Sequence, residues 1–146
     1  LMPPTLIKLG FEKGVLELFR QINAAGEIKI QHACEFNEVR LPAKTELHLF
    51  RIMQEIINNI IKHSNAKQVN VSCKVDSNEI MVSVSHDGAG LSSEEVSQLT
   101  DKEHGIGLKS IQSRAQLIGA SIQYLIFGDG NAKILIEIPL HNEKNN

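Results

Sequence analysis

Apolar positions along this chain recur with two periods, and each period predicts a kind of element. Between about 6 and 24, Leu6, Ile7, Leu16, Phe19 and Ile22 keep to one side of a helix, weakened by Gly10 and Gly14. From about 27 to 36, the alternation of Ile28, Ile30, Cys34 and Phe36 predicts a strand. After Leu41-Pro42 comes the clearest helix, about 45–63, where Leu49, Phe50, Met53, Ile56, Ile57, Ile60 and Ile61 recur at steps of three and four. Two strands, about 68–75 and 79–85, flank the turn Asp76-Ser77-Asn78, with Val69, Val71, Cys73 and Val75 on one face. Ser92-Ser93-Glu94-Glu95 has the form of a capping box opening a short helix to about 99. Gly105-Ile106-Gly107-Leu108 leads into a last helix ending near Gly119. A hairpin, about 121–127 with 132–138, closes across Gly128-Asp129-Gly130-Asn131.

Strands and helices do not alternate regularly, which excludes a doubly wound parallel sheet. The order predicts an α+β two-layer sandwich, a mixed sheet with helices on one face. The paired prolines Pro3-Pro4 set residues 1–5 apart as the end of an upstream element. One domain is expected over 6–140 and a polar tail over 141–146.

Composition narrows the function classes. The chain has 146 residues, enough for one domain with its own core. It lacks Trp and has few aromatic residues, so Ile, Leu and Val must fill that core. A net charge of −2 supplies no basic field for nucleic acid. No apolar run approaches the roughly 20 residues that span a bilayer. Cys34 and Cys73 match no metal-ligand spacing and read as small buried thiols in a reducing compartment.

The polar residues of the long helix carry the chemistry. Gln54, Glu55, Asn58, Asn59, Lys62 and His63 share one side, which any amphipathic helix could present to solvent. Glu55 and Asn59, at i and i+4, also meet the needs of a magnesium–phosphate site. The Asn oxygen could ligate a hydrated cation while the carboxylate orients an attacking group. His86-Asp87-Gly88-Ala89-Gly90 at a strand end is either a tight turn or a close approach of backbone to a ligand. Gly105 and Gly107 precede a helix, where free N–H groups make a phosphate cradle. Gly128-Asp129-Gly130 is most simply a hairpin turn. The P-loop and Rossmann fingerprints are absent.

In this order, a Gln-Glu-x-x-x-Asn-x-x-Lys-His helix, then Asp-Gly-x-Gly-Leu, then Gly-x-Gly-Leu, the chain resembles the GHKL ATPase superfamily. The likeness is to two-component sensor histidine kinases of the nitrate- and desaturase-sensor branch, and runs from about Leu1 to Leu140. It implies a Bergerat fold with ATP between the helical layer and a short lid spanning Gly90 to Gly105. Asn59 would ligate Mg2+, and Glu55 would be the acid/base or water-orienting residue. Asn58, Lys62 and His63 would lie near the phosphates. Gly88 and Gly90 would let the nucleotide approach the backbone. Gly105, Gly107 and Leu108 would form the lid hinge, with Lys102, His104 and Lys109 as phosphate contacts.

The resemblance further implies a cytoplasmic domain of a sensor, with room for a membrane anchor upstream. Its partners would be the chain's own dimerisation and phosphoacceptor domain, expected ahead of Leu1-Met2-Pro3, and a response regulator. Neither nucleic acid nor membrane would be contacted directly. A nucleotide-binding signalling module without catalysis, and a serine kinase of the anti-sigma type, stay open as alternatives.

Two positions depart from the family pattern. The Asp that usually accepts the adenine amino group is replaced by His86, and Asp87 stands one residue late. Neighbours on extended backbone face opposite sides. Losing a hydrogen bond to a charged acceptor costs about 1.5–3 kcal/mol. The expectation is that neutral His86 accepts from adenine in its place, less tightly. Asn131 likewise replaces the usual Thr in the closing hairpin.

Overall fold

The computed structural model describes residues 3–37, 39–76, 78–100 and 106–140. The expected first helix is in fact two. α1 (Pro4–Leu9) and α2 (Phe11–Ala25) meet at Gly10, whose φ of 91° belongs to the region that favours glycine. α1 begins at Pro4, inside the segment the prolines had set apart, because a proline in the first turn has no N–H to satisfy. Gly14 is tolerated within α2 because α1 folds back onto it. A β-carbon at Gly14 would stand 3.1 Å from Leu6 Cβ.

The remaining elements follow the hydrophobic pattern closely. They are β1 (Lys29–Glu35), α3 (Ala43–His63), β2 (Gln68–Val75), β3 (Glu79–His86), α4 (Ser93–Thr100), α5 (Ile106–Leu117), β4 (Ser121–Ile126) and β5 (Ala132–Pro139). Ser92 Oγ accepts the Glu95 N–H at 3.1 Å and Glu95 Oε1 accepts the Ser92 N–H at 3.1 Å, so the capping box forms as expected. Gly119, at φ 67°, ends α5, and the Ala120 N–H returns to the Ala115 carbonyl at 2.8 Å.

The described strands form one mixed sheet in the order β1-β2-β3-β5-β4. β1 runs parallel to β2, and the other pairs are antiparallel. The register aligns side chains of the helix-covered face into rows. One row is Cys34, Cys73, Val82, Ile136 and Ile122; the next is His32, Val71, Val84, Ile134 and Tyr124. The last is Ile30, Val69, His86, Ala132 and Ile126. On the opposite face of β2, Asn70, Ser72 and Lys74 are exposed.

α3 covers these rows with Leu49, Ile52, Met53 and Ile57, all wholly buried. Each such side chain contributes about 1.5–3 kcal/mol by leaving water. α5 packs against α3, and α4 meets the β4 edge. No helix among the described residues is long and apolar enough to cross a membrane.

Candidate functional site

The polar face of α3 divides between two recesses. Asn59 and His63, with Ile56 and Ile60, line an apolar cavity of about 460 Å³ between α3, α4, α5 and the sheet. Glu55 and Asn58, with Arg51, Gln54 and Arg114, line a smaller polar recess of about 330 Å³. Lys62 is exposed and borders neither. At the boundary the two recesses share a wall. A β-carbon on Gly107 would stand 3.2 Å from Glu55 Oε2 and 3.4 Å from Asn59 Oδ1. The carboxylate and the amide, one turn apart, thus converge on the first turn of α5, where N–H groups lack partners within the helix.

The glycines of the β3–α4 loop are demanded by neighbouring protein atoms. A β-carbon on Gly88 would press on the Ser64 carbonyl and stand 2.7 Å from Ala66 N. A β-carbon on Gly90 would overlap Ala132 Cβ. The loop is thereby drawn onto the C-terminus of α3, where the Ala89 N–H donates to the Ser64 carbonyl at 2.8 Å. Both glycines shape the cavity by letting its walls meet.

His86 and Asp87 point apart, as alternation requires. Asp87 Oδ1 accepts the N–H groups of Lys67 at 2.8 Å and Gln68 at 3.1 Å, so the carboxylate clamps the start of β2. Those two bonds hold its pKa below the ordinary carboxylate value. It does not line the cavity.

His86 does line it and is only 6% exposed. Burial depresses its pKa, with a weaker opposing pull from Asp87. Its Nδ1 accepts the Gly88 N–H at 3.1 Å, so the turn itself uses that lone pair.

Leu108 is buried in the cavity wall, whereas Lys109 is exposed and borders neither recess. Lys102, His104 and Gly105 lie outside the described residues. Several lining residues escaped the sequence reading. Tyr124 and Lys133 reach the cavity from the closing hairpin, and Glu95 reaches it from α4. Burial pushes the Tyr124 hydroxyl up to about 12. Arg114 borders the polar recess and contacts His48 Nδ1 at 3.1 Å. Its signal was available, since it stands two helical turns from Gly107 on the same face of α5.

The donor set suits a cation that shares its shell with water and phosphate. Among the described residues no three His, Cys, Asp or Glu side chains gather into a metal cage. One amide oxygen beside one carboxylate is the kind of partial site that Mg2+ accepts when a polyphosphate supplies other ligands.

Comparison with known proteins gives a consistent answer. The model of the "Histidine kinase-, DNA gyrase B-, and HSP90-like ATPase" family matches residues 44–142. The sensor protein VraS of Staphylococcus epidermidis is 29% identical over 133 residues, covering 91% of this chain and 36% of the relative. VraS of Staphylococcus aureus is 29% identical over 131 residues, covering 90% and 36%. The chain thus spans about a third of the length of these curated relatives. Among solved structures, the Acinetobacter baumannii histidine kinase AdeS superposes with a TM-score of 0.69 at 20% identity, covering 88% of this chain and 62% of that one. The catalytic domain of histidine kinase ThkA gives 0.68 at 17% identity, covering 86% of each. The two superpositions establish the fold: a mixed sheet under helices, as the order of elements predicted.

Proposed function

Since the chain belongs to the family of histidine kinase-, DNA gyrase B- and HSP90-like ATPases, we propose that it is the ATP-binding catalytic part of a sensor histidine kinase. The observation that carries this reading is the convergence of Glu55 and Asn59 on Gly107 at the head of α5. The base of ATP occupies the apolar cavity, and its phosphates lie toward Asn59 and the α5 N-terminus. Asn59 would hold Mg2+, which would supply charge neutralisation on the phosphates.

Glu55 faces the polar recess and orients the acceptor imidazole or takes its proton. The imidazole nitrogen forms the bond to the γ-phosphorus as the bond to the β-bridging oxygen breaks, and ADP leaves. The acceptor histidine belongs to a dimerisation and phosphoacceptor domain of the whole protein. The phosphoryl group then passes to an aspartate of a response regulator. The relatives are sensor proteins, which supports a place for this domain in the cytoplasmic part of a sensor.

Titration with Mg2+ and a non-hydrolysable ATP analogue, in the wild type and Asn59→Ala, tests the reading. The wild type binds in a Mg2+-dependent manner, and the variant loses that dependence. Equal binding by both would remove Asn59 from the metal role, and no binding by the wild type would remove the nucleotide reading.

A further inference from the structure

His86 stands in a row of otherwise apolar side chains, Ile30, Val69, Ala132 and Ile126, at the end of the cavity away from Glu55. Of the polar groups beside it, Ser64 and Asp87 are committed, while His63 and Lys133 border the cavity from α3 and β5. The Ser64 hydroxyl donates to the Ile60 carbonyl at 2.6 Å and accepts the Ala66 N–H at 3.1 Å. The Asp87 carboxylate is turned to Lys67 and Gln68.

Within His86 the two nitrogens have different duties. A backbone N–H can only donate, so the bond from Gly88 requires a lone pair on Nδ1. In a neutral imidazole the proton is then on Nε2. No described residue hydrogen-bonds to Nε2. The wall of an apolar cavity thus offers a fixed N–H donor.

A ligand in this cavity must answer that donor with an acceptor, because a buried donor left unpaired is costly. The 6-amino group of adenine can only donate, whereas the 6-oxo group of hypoxanthine or guanine accepts. Building on the nucleotide site proposed above, we infer that His86 donates its Nε2–H to the base and that the site takes 6-oxopurine triphosphates at least as well as ATP. Adenine remains able to bind, through a ring nitrogen, but its amino group earns no selectivity.

The test compares the Mg2+ complexes of adenosine, inosine and guanosine imidotriphosphates by calorimetry at pH 8, in the wild type and His86→Asp. Adenosine and inosine differ at the 6-position and the adjacent N1 but not at the 2-position, so their ratio is the primary measure. The wild type binds the inosine form at least as tightly as the adenosine form. His86→Asp keeps an acceptor for the Gly88 N–H and turns acceptor oxygen to the base, shifting the ratio toward adenosine by about tenfold or more. If that variant does not fold by circular dichroism, His86→Gln serves, since its amide can also turn an oxygen to the base and moves the ratio in the same direction.

A wild-type preference for the adenosine form beyond about threefold, or an unchanged ratio in the variant, would overturn the inference and leave the nucleotide site standing. Failure of all three analogues to bind would remove both.

Discussion

The carboxylate of Glu46, at the head of α3, accepts the backbone N–H of Phe11 at 3.0 Å across 35 residues of chain. Arg40 Nη2 approaches the other oxygen at 3.1 Å, and the Leu41 N–H lies 3.5 Å from the first. Glu46 is only 4% exposed, so this is a buried acceptor with several donors around it. Glu46→Ala strands the buried Phe11 N–H, while the Arg40 guanidinium, more than half exposed, turns to water. The expected loss is about 1–3 kcal/mol, read as a fall in the urea midpoint at unchanged slope.

Gly90 and Ala132 make a second such contact, decided by volume. Gly90→Ala forces two β-carbons into one space, which costs about 1–3 kcal/mol. The double variant Gly90→Ala with Ala132→Gly opens that space again. Thermal melting of the four proteins of this cycle should show the double variant above Gly90→Ala alone. Additive losses would mean that the loop is held elsewhere.

Two histidines make stability fall in mild acid. Burial lowers the pKa of His86 against a weaker pull from Asp87, and burial with Arg114 and Lys44 lowers that of His48. In the unfolded chain both titrate near 6.5. Above that value both states are neutral and nothing is lost. Below it the unfolded chain takes up protons first, so stability declines as pH falls toward the folded values. Asp76 and Asp87, held low by backbone N–H groups, act only in stronger acid. Urea midpoints between pH 7.5 and 5.0 should drop, and His48→Gln should flatten the slope.

The thiols of Cys34 and Cys73 are register partners on β1 and β2, yet they differ in burial. Hydrogen bonding from Cys73 lowers the Cys34 pKa, while its bond to Cys34 and its burial push the Cys73 thiol far up. Cys73 is 4% exposed and Cys34 is half-buried. Iodoacetamide at pH 8 should label Cys34 first and reach Cys73 only with unfolding. Peptide mapping by mass spectrometry separates the two.

What could be read from the residues alone followed the reach of each signal. Strand alternation and the apolar stripe of α3 are local, and they gave the elements to within a residue or two. The order of those elements gave the mixed sheet. The break at Gly10 was visible only as a weak point, because the bond that makes it an elbow comes from Glu46, far along the chain. The separation of Asp87 from the cavity followed from alternation, but its partners at Lys67 and Gln68 lie across a strand pair. The engagement of His86 Nδ1 could not be read, since it depends on how the loop turns at Gly88. Helical spacing grouped Glu55 with Asn59, whereas their division between two recesses depends on where α5 lands.

The row that contains His86 has one more consequence. β3 is fixed in phase by Ile80, Val82 and Val84, none of which retains any exposed surface. Sliding the strand by one residue would turn all three toward water and, in the same step, exchange the imidazole for the carboxylate of Asp87 at the cavity wall. Drift in strand phase therefore cannot alter what this wall offers a ligand without first dissolving the core. Change at this wall is left to substitution at position 86, a single codon whose neighbours are already committed.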